Sequence, residues 1–207
     1  MAGLCSVGAE GVATAIRADA APVAAPAPVF ARTVVLSPVS GRVFIRVPGI
    51  STVYVHLTRT RSVPVGTVVD ATVGRLSLTS ANATPGYSQT GQFFGGVFRI
   101  DQHRAGGGLV DLVLRDNFAR NVCGSGAARA AVLSQRVLGL LRGVAKGRFR
   151  TSGRFSAATV RGTDWGVRDR CDGTLTLVRE GAVLVTDFRL HKTVVVGAGQ
   201  TYLARAG

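Results

Sequence analysis

Several features of membrane proteins and common enzymes are scarce or missing in this 207-residue sequence. No uncharged apolar run approaches the roughly 18 residues that a transmembrane helix needs, so we expect no membrane-spanning segment. Aromatic residues make up only 6% of the chain, with one tryptophan, which argues against a carbohydrate cleft or a base-stacking platform. With only 11 acidic residues, a catalytic pair of carboxylates of the glycosidase kind is also disfavoured.

Sequence motifs for catalysis and metal binding are absent as well. There is no G-x-S-x-G elbow to anchor a hydrolase triad, and Gly106-Gly107-Gly108 lacks the Lys-Ser/Thr sequel of a phosphate loop. The residues that most often hold zinc are spread singly along the chain, without paired spacing: Cys5, Cys123, Cys171, His56, His103 and His191. The sequence therefore predicts a non-enzymatic protein with no cofactor and no metal site.

Charge is the most unusual property, because 25 basic residues against 11 acidic ones leave a net charge of +14. Apart from Lys146 and Lys192, all of the basic residues are arginines. One explanation is the codon usage of a GC-rich genome together with general solubility. The other is a surface for polyanions, such as nucleic acid, an acidic cell-wall polymer or anionic lipid, with salt-sensitive binding.

If such a surface exists, the second half of the chain is the best place for it. We expect one positive face there, formed by Arg148, Arg150, Arg154, Arg161 and Arg168. Arg148, Arg150 and Arg154 lie an even number of positions apart, so they can share one side of a β segment. Guanidinium groups bind phosphate and carboxylate groups in a bidentate manner without reading sequence.

The cysteines bear on the cellular compartment. Cys123 and Cys171 both lie in glycine-rich, loop-like surroundings, and a disulfide between them would suit an oxidising compartment. The alternative is a pair of free thiols in a cytosolic protein. Cys5 lies in an irregular leader, where we expect it to be unpaired.

The composition divides the chain into two parts. Residues 1–32 are rich in alanine and proline and predict a disordered leader or linker without a clear signal peptide. From residue 33 to 207, short β-branched and aromatic runs separated by glycine-containing turns predict a single β domain.

Residues 124–147 show a different pattern. Apolar residues recur there at the spacing of a helix face, at Leu133, Val137, Leu140, Leu141 and Val144. We interpret this stripe as a surface helix that covers the sheet. The alternative is a basic amphipathic helix on an anionic membrane, which Gly139, Gly143 and the lack of an aromatic anchor disfavour.

Three short motifs in the last third of the chain point to a family. They are Arg161-Gly162-Thr163, the hairpin around Glu180-Gly181, and the closing Ala198-Gly199-Gln200. This arrangement resembles the FecR-like domain, and residues 40–79 resemble its opening. Similar arrangements occur in exported actinobacterial-type proteins of unassigned function. This chain departs from the pattern through a long insertion at about 80–150.

Together, these observations predict a mainly β fold of stacked short antiparallel strands, as a β-sandwich or a β-helix-like roll. They allow at most one short helix, near 130–145. The resemblance implies a non-enzymatic interaction, scaffold or envelope-sensing module in the cell envelope or outside a bacterium. Its partner would be a protein or an acidic cell-envelope polymer. A basic nucleic-acid-binding protein is the alternative, followed by a secreted enzyme with an unrecognised site.

Overall fold

The computed structural model describes residues 27–115, 123 and 135–206, and these residues are mainly β. They contain one turn of 3₁₀ helix, Arg104–Gly106, and thirteen strands. In chain order the strands are β1 Thr33–Arg46, β2 Val55–His56, β3 Arg61–Pro64, β4 Val68–Ala81, β5 Ser88–Phe94, β6 Val97–Gln102, β7 Val110–Leu114, β8 Val137–Ser152, β9 Ser156–Arg170, β10 Gly173–Glu180, β11 Ala182–Asp187, β12 Lys192–Gly197 and β13 Thr201–Arg205.

All thirteen strands are hydrogen-bonded into one continuous sheet. Four long strands, β1, β4, β8 and β9, divide it into two parts, which we call the first and the second sheet. The N-terminal half of β1 and the C-terminal half of β4 belong to a first sheet, with the order β3-β1-β4-β5-β8-β9-β10-β13. Their other halves belong to a second sheet, with the order β2-β1-β4-β6-β7-β8-β9-β11-β12. Strands that pass from one sheet to the other at a bend are typical of orthogonally packed β-sandwiches.

Glycine and register shifts mark the bends. In the β1–β4 pair, Gly41 lies opposite Gly74, next to a shift between Pro38 and Ser40. A Cβ on Gly41 would lie 2.3 Å from the Val73 carbonyl oxygen, and one on Gly74 would lie 2.4 Å from that of Arg42. The backbones therefore approach more closely than any side chain allows, and glycine is required at both positions.

One hydrophobic core lies between the two sheets, and aromatic rings join its halves. Phe93 of the first sheet lies 6.2 Å from Phe98 and 5.3 Å from Phe149, both of the second sheet, between ring centroids. Trp165 meets Phe93 edge-on at 6.1 Å. All four rings are fully buried. The sandwich is thus closed by aromatic contacts between its sheets.

The helical interpretation of residues 124–147 is wrong from Val137 onward, because that part lies in β8. Its apolar residues occupy both sides of a strand. Leu141 faces the core, whereas Leu140 and Val144 lie on the outer side. A strand with apolar residues on both faces imitates the spacing of a helix. Residues 124–134 lie outside the described residues.

The predicted leader also falls mainly outside the described part of the chain, at residues 1–26. Residues 29–32 form a turn before β1, and the Ala31 N–H donates a hydrogen bond to Gln102 Oε1. The segment expected as an insertion contributes β5 to β8, which lie in the middle of the sheets. Among the described residues, no helix has the length and apolar character needed to cross a membrane.

Candidate functional site

A groove of about 670 Å³ lies on the outer face of the first sheet. It runs across β5, β8 and β9 to the end of β10. Its polar lining comes from Arg75, Thr90, Gln92, Lys146, Asp164 and Glu180. An open groove with convergent polar groups is a default position for a binding site.

Strand registers bring these side chains together. Gln92 of β5 pairs with Val144 of β8, which in turn pairs with Asp164 of β9. Asp164 pairs with Glu180 of β10. Because paired residues of adjacent strands point to the same face, these four residues form a row across the groove floor. Thr90 and Lys146 form the neighbouring pair.

The side of the groove near β4 is fixed by stacking. The Arg75 guanidinium lies 4.0 Å from the centroid of the Phe94 ring, and that of Arg142 lies 4.9 Å from the same centroid. Arg75 also donates a hydrogen bond of 3.1 Å to Gln92 Oε1. These contacts hold Arg75 and Gln92 in defined positions, so little side-chain freedom is lost when a ligand binds.

The opposite side of the groove is acidic. Oδ1 of Asp164 is buried and has no hydrogen-bond partner among the described residues, whereas Glu180 is exposed. The groove therefore presents cations from β4 and β8 and carboxylates from β9 and β10. It offers donors for anionic or carbonyl oxygens at one side and acceptors for N–H or O–H groups at the other.

Two of the sequence motifs meet at the acidic side. The Thr163 hydroxyl donates a hydrogen bond to the Glu180 carbonyl oxygen. Gly181, at φ +76°, is so close to Gly162 that a Cβ on it would lie 3.1 Å from the Gly162 carbonyl oxygen. These motif residues form the junction where β9 bends and the β10–β11 hairpin turns. Their role in the fold is to shape one end of the groove.

The third motif closes the β12–β13 turn. Gln200 Oε1 accepts a hydrogen bond from the Gly197 N–H, and the Gly199 N–H donates to the Val178 carbonyl oxygen. Val178 is buried in the core. The turn is thereby fastened to the end of β10.

The arginines expected to form one positive face have different surroundings. Arg148 is exposed on the outer face of the second sheet, and Arg150 beside it forms an ion pair with Asp111 at 2.6 Å. Arg154 is exposed in the β8–β9 turn, with its guanidinium 5.5 Å from the centroid of Phe155. The positive charge of Arg150 is therefore already balanced by Asp111 within the protein.

Arg168 lies apart from this group. It is exposed on the part of β9 that belongs to the first sheet, opposite Leu140 and Leu175. Arg148 instead pairs with Arg161, in the part of the β8–β9 pair that belongs to the second sheet. Whether these arginines form a single face stays a prediction. The Arg161 side chain lies outside the described part of the structure.

A disulfide joins Cys123 to Cys171, which are 48 positions apart, with their Cα atoms separated by 5.3 Å. It connects the segment between β7 and β8 to the β9–β10 turn. Next to it, Arg170 and Asp172 form a largely buried ion pair. The hydrogen bond from Arg170 holds the pKa of the Asp172 carboxyl below its usual value. Cys5 lies outside the described residues.

Sequence reasoning missed the groove itself. Polar residues occupy every second position at Ser88, Thr90 and Gln92. This pattern indicates a strand with one solvent-exposed face. That pattern alone does not say which other strand lies alongside. Asp164 lies within β9, away from the strand ends and turns where aspartates commonly serve local hydrogen bonds.

No known family model matches the chain, and neither the curated proteins nor the solved structures contain a significant match.

Proposed function

We propose that this chain is a non-enzymatic, FecR-like interaction or envelope-sensing module of an exported bacterial protein, and that it holds its partner in the groove of the first sheet. The observation that carries the proposal is the fixed arrangement of charged and amide side chains along that groove. Arg75 and Gln92 are bonded to each other, and Arg75 is stacked on Phe94. The side chains of this surface are therefore preorganised for binding.

The charges suggest the chemistry of the partner. Arg75 and Lys146 suit carboxylate or phosphate oxygens, while Asp164 and Glu180 suit hydroxyl, amide or amine donors. Envelope polymers with acidic groups and free hydroxyl or amine groups carry both, and so do peptide segments of protein partners. We favour such an acidic envelope polymer or protein segment as the partner.

Export is supported by the disulfide between Cys123 and Cys171. Structural disulfides persist in oxidising compartments and are rare in the reducing cytosol. Mass spectrometry of the natively produced protein without reductant tests this part. Free thiols at both cysteines would contradict export.

The groove is tested by isothermal titration calorimetry with a purified teichoic-type polymer and with a soluble peptidoglycan fragment. We expect at least one of them to bind, and Lys146→Gln and Asp164→Asn each to weaken that binding about tenfold, the loss of one charge-assisted hydrogen bond. Arg104→Gln, which removes an exposed charge outside the groove, is the matched control. Absence of binding to both ligands, or equal affinity in all variants, contradicts the proposal.

A nucleic-acid-binding protein is the second candidate, because the net charge of +14 favours it. If that function is correct, duplex DNA binding falls by orders of magnitude between low and moderate salt. A variant with Arg148, Arg150 and Arg154 changed to Gln then binds more weakly than the wild type. Equal binding by the variant means that these arginines do not contribute to DNA binding.

A further inference from the structure

A second, smaller pocket of about 230 Å³ lies on the outer face of the second sheet, with Arg148 and Ala182 two positions along the chain from Lys146 and Glu180 of the groove. Its lining is almost entirely apolar, with one arginine at the rim. The side chains that define it belong to Leu109, Arg148, Thr159, Ala182, Leu184 and Val195.

The sequence produces this apolar surface through strand register. Leu184 of β11 pairs with Thr159 of β9 on one side and with Val195 of β12 on the other. Leu184 is 48% exposed and Val195 65% exposed. Ala182 pairs with Gly197, and these small residues leave a depression beside Leu184. Apolar groups that line a depression and still contact water favour an apolar ligand.

The arginine at the rim is held in place. The Arg148 guanidinium donates a hydrogen bond of 2.7 Å to the Gly107 carbonyl oxygen. The Arg148 backbone N–H donates to Gln89 Oε1, and the amide of Gln89 donates to the Gly108 carbonyl oxygen. Only one of the five N–H donors of a guanidinium is needed for the Gly107 contact, so the others remain for a ligand.

The positive charge of Arg148 also differs from that of Arg150 in how it is balanced. Asp111 forms an ion pair with Arg150, whereas no acidic side chain in the described ranges forms one with Arg148. The pocket thus combines an apolar surface with one fixed, unbalanced positive charge. This is the complement of an amphipathic anion.

We propose that the pocket binds an acyl chain with a carboxylate head group, with the chain against Leu184 and Val195 and the carboxylate at Arg148. A cavity of about 150 Å³ accommodates benzene, so a pocket half as large again suits a chain of roughly six to ten carbons. The proposal concerns a different sheet from the groove and does not depend on the function proposed above.

The charged surroundings favour a free amphiphile over a membrane surface. The same sheet face carries the ion pairs Arg150–Asp111 and Arg99–Asp101. A membrane lying flat on this face would have to remove water from both pairs, which is unfavourable. A single soluble molecule in the pocket leaves them hydrated.

The probe ligand is octanoate, measured by isothermal titration calorimetry, with hexanoate, decanoate and octanol as comparisons. Each added methylene tightens binding by up to about fourfold until the pocket is filled. Octanol binds more weakly than octanoate. The substitution Arg148→Gln leaves the affinity for octanol unchanged. The same substitution weakens octanoate about tenfold, and Arg148→Lys restores most of that loss.

Two further variants separate the pocket from general charge effects. Ala182 is exposed, so Ala182→Leu fills the depression without disturbing the core and abolishes binding of octanoate and octanol alike. Arg168→Gln removes one exposed charge from the other sheet and changes neither affinity. Unfolding curves confirm that every variant is folded.

Several results overturn the proposal. Octanoate fails to bind to the wild-type protein, or Arg148→Gln and Ala182→Leu bind it as the wild type does. Binding to anionic phosphatidylglycerol vesicles without binding of octanoate also overturns it, because a membrane surface is then the ligand. Weaker octanoate binding in the groove variant Arg75→Gln, on β4, overturns the assignment to this pocket.

Discussion

The indole N–H of Trp165 donates a hydrogen bond of 3.1 Å to the hydroxyl of Thr151, and the two residues belong to different sheets. Both are fully buried. The bond is thus a buried polar link between the sheets. A buried donor that loses its partner is costly, which makes this link a sensitive point.

We expect Thr151→Val to lower the free energy of unfolding by about 1–3 kcal/mol, because it leaves the indole N–H unpaired at nearly constant volume. Urea unfolding followed by Trp165 fluorescence measures the change. The same substitution at the exposed Thr201 serves as the control. Equal stability of both variants would show that the bond contributes little.

A second prediction concerns the close contact between Gly96 and β8. A Cβ on Gly96 would lie only 1.6 Å from the Leu140 carbonyl oxygen, and backbone does not yield easily. We expect Gly96→Ala to destabilise the protein by at least about 3 kcal/mol, at the upper end of what overpacking costs.

Gly106→Ala is the matched comparison for Gly96→Ala, since its Cβ would meet Leu109 at an ordinary 3.6 Å. We expect a change within about 0.5 kcal/mol there. Thermal unfolding of both variants measures the difference. If Gly96→Ala is as stable as Gly106→Ala, the backbone approach is not as tight as described.

The third prediction concerns the disulfide. In a Cys5→Ser background, changing both Cys123 and Cys171 to Ser should cost about 2–4 kcal/mol, because the bond constrains a long loop in the unfolded chain. Denaturant unfolding with and without reductant measures this cost. Reductant should destabilise the Cys5→Ser protein by the same amount and leave the variant without Cys123 and Cys171 unchanged. Any other pattern contradicts a contribution of the disulfide to stability.

The fourth prediction concerns pH. Burial alone would raise the pKa of Asp187, but hydrogen bonds from the backbone N–H groups of Leu190 and Arg189 and from the Tyr202 hydroxyl bring it below its usual value. A carboxyl whose folded pKa is lowered stabilises the protein above the unfolded pKa, about 3.9. This stabilisation is lost as the pH falls through the folded pKa.

We therefore expect Asp187→Asn to be less stable than the wild type at pH 7, with the difference shrinking toward pH 2. Urea unfolding across this range measures it, with the exposed Glu180→Gln as the control. A difference that stays constant with pH would mean that the charge of Asp187 is not what stabilises the fold.

Much of the β structure could be predicted from local patterns. Strand alternation at Leu76 and Leu78 and the aromatic run at Phe93 and Phe98 correspond to β4, β5 and β6. These segments bury one face each, so their period of two is visible in the sequence. The segments around Ala158 and Trp165 belong to one continuous strand, since Gly162 bends β9 and does not end it.

The wrong helix prediction and the missed groove both involve contacts between residues that are distant in sequence. Gly143 weakens a helix, but a tertiary contact explains why glycine occupies this position. A Cβ there would lie 2.7 Å from the Trp165 ring. The groove likewise arises because β5 pairs with β8, about fifty residues away along the chain. Pairing of this kind leaves no local sequence signal.

The strands that cross between the sheets also decide how the chain divides. A cut between β7 and β8 does not separate the two sheets, because each sheet takes strands from both sides of the cut. The fragment ending after β7 would expose β5 at one open edge and β7 at another, where β8 normally pairs. Each fragment alone would therefore be prone to aggregation. Co-expressed, the two should reassociate into one soluble heterodimer, as a split protein does.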